Sequence, residues 1–271
     1  MFIFNENAYL FFFRLEIIHD ANLIHRDFHS GNILLGVKFD QDCYIGDLGL
    51  SQPASETLFN NEIYGVIPYV APEVFNGAKF SKSSDVYSLG MMMWECTTGY
   101  KPFADVEHDH TLIYNILNGK RPEITKDTPE CFVNLMKSCW EFDPTKRPSI
   151  HEVYKTLSDW YYNKYPKQFN QAEERRLKLI QLKLLGPNFT VKHPRAIFTS
   201  RPLRSFTSKA SSIKSIDSTS SISFIEYISK EYELDINNIQ RSLTNVSSTI
   251  EASNIQHSGA IYTSRSLSAL I

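Results

Sequence analysis

Ile24-His25-Arg26-Asp27-Phe28-His29-Ser30-Gly31-Asn32-Ile33-Leu34-Leu35 is followed, 20 residues after Asp27, by Gly46-Asp47-Leu48-Gly49. A polar loop, His25 to Gly31, leads into a short apolar strand, Asn32 to Leu35. A glycine-containing turn and a second strand, Cys43-Tyr44-Ile45, complete a hairpin. Asn32 opens the first strand and Asp47 closes the second, so antiparallel pairing brings both to the same end of the ribbon. An Asn and an Asp converging there make an oxygen-donor site suited to Mg2+. Asp27, in the loop leading in, adds a carboxylate able to orient a hydroxyl nucleophile. Those are the requirements of phosphoryl transfer.

Outward from this stretch the chain reads as mainly helical. Leu10, Phe13, Ile17 and Ile18 recur at helical spacing over 8–24, with Asn22 as the stop. The run from Asp85 to Thr98 is apolar nearly all round, as expected of a helix in the middle of a domain, and Gly99 and Pro102 end it. Further helices are predicted over 109–118, 129–140, 149–162 and 172–185, the last a charged helix with Glu174 and Lys178 four apart, stopped by Gly186-Pro187.

The whole chain has 271 residues, 42% hydrophobic and 21% charged, the composition of a globular protein with a sizeable core. Its net charge of −2 gives no general attraction to nucleic acid or to an anionic membrane. The charge is uneven: residues 1–164 carry 14 Lys+Arg and 22 Asp+Glu, and residues 165–271 carry 14 and 8. The four cysteines show no Cys-x-x-Cys spacing and read as buried thiols in a reducing, cytoplasmic setting, where the sequons at Asn188 and Asn245 go unglycosylated. No stretch approaches the roughly 20 apolar residues that span a bilayer. Residues 199–224 hold 10 Ser and 3 Thr among 26, a composition expected to stay disordered. A short repeat lies in the same half: residues 193–203 return at 257–267 with seven of eleven positions identical. Either a duplicated docking peptide or a duplication without consequence accounts for it, the second being the simpler.

The motif His25-Arg26-Asp27-x-x-x-x-Asn32 followed by Asp47-x-Gly49 resembles the catalytic and metal-binding loops of the eukaryotic protein kinases. Ala71-Pro72-Glu73, 26 residues after Asp47, resembles the close of their activation segment. Asp85-Val86-Tyr87-Ser88-Leu89-Gly90 resembles the start of the central helix. Cys139-Trp140-x-x-Asp143-Pro144-x-x-Arg147-Pro148 resembles a late segment of tyrosine kinases and tyrosine-kinase-like kinases.

The resemblance implies an α+β fold: a mainly α-helical kinase C-lobe, with a short β-hairpin carrying the catalytic and metal-binding loops, then a largely disordered tail. Expected divisions are an atypical N-terminal segment 1–14, the lobe 15–164, an amphipathic helix 165–187 and the tail 188–271. It implies that Asp27 accepts the proton of the substrate hydroxyl and that Asn32 and Asp47 hold Mg2+ on the phosphates of ATP. His25 and Arg26 complete the catalytic motif, with Arg26 pairing with a phosphate on the activation loop. Ser51, Ser55, Thr57 and Tyr64 are the candidate phosphoacceptors there. Glu73 and Arg147 are implied to form a structural ion pair, and Asp85 to cap the catalytic-loop backbone.

Two departures bear on the acceptor. His29 stands where Ser/Thr kinases usually carry a Lys, and Val66 where they carry a Thr. Neither matches the tyrosine-kinase pattern, so a Ser or Thr acceptor is expected, with Tyr second. The first Gly of the chain is Gly31 and the first Lys is Lys38, which leaves no Gly-rich loop or phosphate-positioning Lys ahead of the catalytic motif. The chain is therefore expected to hold the large lobe only, with Phe2 to Phe13 covering part of its exposed apolar rim, and to bind and turn over ATP negligibly alone. The expected partners are ATP and a protein substrate or partner kinase, with neither nucleic acid nor membrane. Besides the enzyme, a second class stays open: a catalytically silent lobe that docks substrates or a partner kinase.

Overall fold

The structure, a computed structural model, describes residues 6–35, 43–55, 63–162, 167–182, 186 and 191–217. Helix α1 spans Glu6–Asp20 and β1 Leu23–Ile24; the hairpin strands are β2 Ile33–Leu35 and β3 Cys43–Ile45. Then come β4 Gln52–Pro53, β5 Tyr64–Gly65 and α2 Pro72–Phe75, followed by α3 Lys82–Thr98, α4 His110–Leu117, α5 Glu130–Cys139, α6 Ile150–Tyr162 and α7 Lys167–Gln181. Strand β6 Arg201–Pro202 and helix α8 Arg204–Asp217 end the described chain.

The core is built on α3. Ser81 caps it by accepting from the Ser84 amide, while the Ser84 hydroxyl accepts from the Ser81 amide, so two orphan donors are satisfied reciprocally. From Ser84 to Glu95 every residue is buried, Met91, Met92 and Met93 fully so, where α5, β1 and residues 67–69 pack against the helix. Each such burial contributes roughly 1.5–3 kcal/mol. Gly90 lets α5 approach: a Cβ there would lie 3.0 Å from the Cys139 Cβ and 3.1 Å from the Trp140 nitrogen. Gly99, at φ +75°, ends the helix in the left-handed conformation that glycine adopts at least cost.

Helix α1 packs against α6 and β3. Residues 6–13 of the aromatic N-terminus are its first turns, continuous across position 14, and residues 2–5 lie outside the described residues. The helix expected over 8–24 is shorter at its end, because Asn22 takes φ +57° and Leu23–Ile24 are extended to pair with Gln52–Pro53. The hairpin has the register Ile33↔Ile45, Leu34↔Tyr44 and Leu35↔Cys43.

The structure differs most from expectation over 191–217. Residues 199–217, read as part of a disordered stretch, include β6, paired antiparallel with β5, and α8. Ala196, Leu203 and Ala210 are buried, so a few well-spaced apolar groups suffice where the backbone finds a strand to pair with. Residues 218–271, with the second copy of the repeat, lie outside the described residues. By compactness the described chain divides into residues 6–210 and the last turns of α8, residues 211–217.

Candidate active site

The polar loop is held from below by α3. The Asp85 carboxylate accepts the His25 amide at 2.7 Å and the Arg26 amide at 2.9 Å, and meets His19 Nε2 at 2.9 Å. These bonds hold Arg26 at φ +72°, a conformation that costs a non-glycine residue roughly 1–2 kcal/mol. His25 is fully buried. Its Nδ1 accepts the Asp27 amide at 3.3 Å, so Nε2 carries the proton toward the Gly46 carbonyl, 3.2 Å away. Burial, the largest influence, lowers the His25 pKa and keeps this neutral tautomer.

Asp27 is buried above this base. Asn32 Nδ2 donates to the Asp27 carbonyl at 2.8 Å, which turns the amide oxygen of Asn32 the other way. Asn32 Nδ2 also reaches Asp27 Oδ2, at 3.5 Å, and two further side chains meet that carboxylate. The Ser200 hydroxyl, from 173 residues along the chain, donates to Oδ2. His29 Nδ1 accepts from Gly31, so Nε2 bears the proton, 3.0 Å from the Ser200 oxygen and 3.6 Å from Asp27 Oδ1. Burial raises the Asp27 pKa, but the His29 and Ser200 contacts outweigh it and hold the carboxyl below the ordinary aspartate value. The Ser200 hydroxyl thus sits between a carboxylate to which it donates and an imidazole N–H that donates to its oxygen. Gly65 closes the site: at φ +149° a Cβ would lie 3.0 Å from Val70 Cγ2 and 3.4 Å from Asp27 Oδ1.

Gly46 donates to the Asn32 carbonyl at 2.7 Å and extends the hairpin by one rung, which puts Asp47 next to Asn32's end of the ribbon. Asp47 is exposed and left-handed, at φ +55°. Among the described residues no group of three His, Cys, Asp or Glu gathers to hold a metal unaided. One carboxylate and one amide oxygen suit Mg2+, which keeps several ligands for water and phosphate. Arg26 spans from this loop to the Leu50 carbonyl at 3.3 Å and covers the Phe80 ring at 4.9 Å. Gly49 follows Asp47 in the segment that runs to Glu73, where Ser51 Oγ is buried without a partner; Thr57 lies outside the described residues.

At the segment's far end Ala71 precedes α2, Pro72 opens it and Glu73 receives Arg147 in a fork of two 2.7 Å bonds. The other guanidinium donors go to the carbonyls of Glu141, Ser83 and Phe142.

Sequence reasoning missed two features. Lys101, just past the end of α3, meets buried Glu95 at 3.3 Å and Ser30 Oγ at 2.5 Å, and Tyr69 donates to Glu95 at 2.6 Å. The only signal was a glutamate inside an otherwise apolar helix. The other is Ser200, hidden in a serine-rich run although the repeat marked its neighbourhood. Among the described residues no helix is long and apolar enough to cross a membrane.

A family model described as protein tyrosine and serine/threonine kinase matches residues 14–157. A probable serine/threonine-protein kinase of Dictyostelium discoideum is 33% identical over 163 residues, 55% of this chain and 9% of the relative. Another from that organism, roco8, is 35% identical over 143 residues, 51% of this chain and 8% of its own length. Human mitogen-activated protein kinase kinase kinase 7 is 36% identical over 145 residues, 53% of this chain and 23% of its own length. The chain thus spans less than a quarter of the length of these three relatives. It belongs to the protein tyrosine and serine/threonine kinase family.

Proposed function

We propose that this chain carries the acceptor and metal-binding half of a serine/threonine kinase site. Asp27 receives the proton of the attacking hydroxyl at Oδ2. The observation that carries this reading is a serine hydroxyl already seated there, donating to Asp27 and facing His29 Nε2. His29 does what the usual Lys does, steadying the acceptor oxygen while its proton leaves. Asn32 and Asp47 are the oxygen donors for Mg2+, which supplies charge neutralisation on the phosphates of ATP when bound. His25 keeps the Asp27 loop in register with the Asp47 turn, and Arg26 pairs with a phosphate on the activation segment. The expected setting is the cytoplasm and the expected partner a protein substrate.

Transfer of label from ATP to serine and tyrosine peptides tests it, with the chain fused to the small lobe of the human relative. Serine labelling is expected, and Asp27→Asn should lower it at least about a hundredfold, the scale of losing a general base. Equal transfer by fusion and variant would sink the assignment, and preferential tyrosine labelling would correct the acceptor class. A second reading, a docking lobe without turnover, is favoured by one observation, the occupation of the acceptor position by the chain itself.

A further inference from the structure

The segment that brings Ser200 to Asp27 lies along the lobe as a bound peptide would. Its strand β6 adds to β5 with the register Tyr64↔Pro202 and Gly65↔Arg201, and the Leu203 amide donates to the Ile63 carbonyl at 2.8 Å. Upstream, the His193 amide donates to the Ala104 carbonyl, and the Arg195 carbonyl accepts the His108 amide. The Ile197 carbonyl lies 2.8 Å from His108 Nδ1. Such main-chain bonds hold any extended peptide, while side-chain seats select among sequences. Leu203 is fully buried and Ala196 nearly so, Phe198 stands edge-on to the His108 ring at 4.7 Å, and Arg201 donates to the His108 carbonyl at 2.6 Å.

The repeat supplies an independent observation. Between 193–203 and 257–267 seven of eleven positions are identical, among them the counterparts of Ala196, Ser200, Arg201 and Leu203. Phe198 becomes Tyr262, which keeps the ring. The remaining changes, Pro194 to Ser258, Arg195 to Gly259 and Pro202 to Ser266, all fall on residues whose side chains are exposed in the first copy. The buried and half-buried positions recur or keep their ring, and of the exposed side chains that change only Arg195 reaches the lobe, in an ion pair with Glu107 at 2.6 Å that a glycine at 259 does not make.

We propose that residues 193–203 are a built-in ligand of the lobe's peptide-substrate groove with Ser200 in the acceptor position, and that residues 257–267 are a second ligand for the same groove. The substrate class follows: extended peptides of the pattern Ala-Ile-aromatic-Thr-Ser-Arg-x-Leu, with the serine at Asp27. The acceptor part of this rests on the reading of Asp27 given above. Because either copy is tethered, its effective concentration is on the order of millimolar, and a free peptide must compete against it.

The test uses the full chain and a fluorescent synthetic peptide of residues 255–269, read by anisotropy. Wild type is expected to bind the probe weakly. Leu203→Asp should raise its affinity only a few-fold, because the tethered second copy takes the vacated groove, whereas Leu203→Asp with Leu267→Asp should raise it at least tenfold. Unlabelled peptide 191–205 should displace the probe from the double variant, and the same peptide carrying Leu203→Asp should not. Phe198→Asp with Tyr262→Asp is a second double variant that spares the buried leucine site, so a folding defect in the first pair does not decide the matter. Probe affinity unchanged from wild type in both double variants would overturn the proposal, as would equal displacement by both unlabelled peptides. Label transfer separates this from the kinase reading. Probe binding as expected with no transfer by the fusion retires the kinase reading and keeps the ligand. Transfer to an unrelated protein acceptor at a rate equal in wild type and double variant keeps the kinase reading and retires the ligand.

Discussion

Two carboxylates, Glu73 at the far end of the segment from Asp47 to Glu73 and Asp27 in the loop ahead of the hairpin, have surroundings of opposite character. Glu73 takes a fork from Arg147, whose five N–H donors all find acceptors supplied by the helical lobe itself. Asp27 follows Arg26, whose backbone is left-handed and whose buried Nε lacks a partner. Its own charge is met by a hydroxyl from a distant segment. One end is saturated by groups that have nowhere else to go, and the other by a group that can leave. Stability is concentrated at the first and readiness to exchange partners at the second.

Breaking the saturated end should cost most. Arg147→Ala leaves Glu73 and three carbonyls short of donors, and an unfolding free energy about 3–5 kcal/mol lower is expected from urea titration. A loss under 1 kcal/mol would show that the pair is not the fixed point described here. At the exchangeable end, Gly65→Ala forces a strained φ and presses on Val70 and Asp27, so a loss of roughly 1–3 kcal/mol is expected in the same titration, together with weaker seating of Ser200. Ser81→Ala removes the cap of α3 and should cost about 1 kcal/mol, a control for a purely structural contact.

The smallest effect is a pH slope. Burial lowers the pKa of both His25 and His108, against the opposing pull of Asp85 on His25 and of the carbonyls that both rings face. Above the ordinary histidine value of about 6.5 both states are neutral and nothing is gained or lost. As pH falls through that value the unfolded chain takes up protons that the folded chain resists, so stability declines until the lowered folded pKa values are passed. The melting temperature should fall between pH 7 and 5.5, and His108→Gln should flatten part of that fall; an unchanged slope would remove His108 from the account.

What was legible in the sequence was what a local pattern encodes. The polar loop and Asp47 flank a hairpin whose strands show as the short apolar runs Ile33–Leu35 and Cys43–Ile45, and α3 shows through its mainly apolar run and the Gly99 stop. Asp85, 58 residues from Asp27, was reachable only through the family resemblance, since no local rule says which loop a helix-start aspartate will cap. Residues 191–217 were illegible for a different reason. Their seat depends on main-chain bonds to β5 and to the neighbourhood of His108, and main-chain bonding leaves no mark on composition. The pairing of Leu23–Ile24 with Gln52–Pro53, which cut the first helix short, was hidden in the same way.

The contact of Gly90 with Cys139 has a use as a clock. All four cysteines are free thiols. Burial pushes the Cys139 thiol up to about 12, so its thiolate fraction at pH 7 is on the order of one part in 10^5, against a few parts in a hundred for an ordinary cysteine. An alkylating reagent therefore meets a reactive sulfur only in molecules where α3 and α5 have parted, and the rate of Cys139 modification counts those openings. Cys131, on the same helix and only half-buried, should be modified well before it.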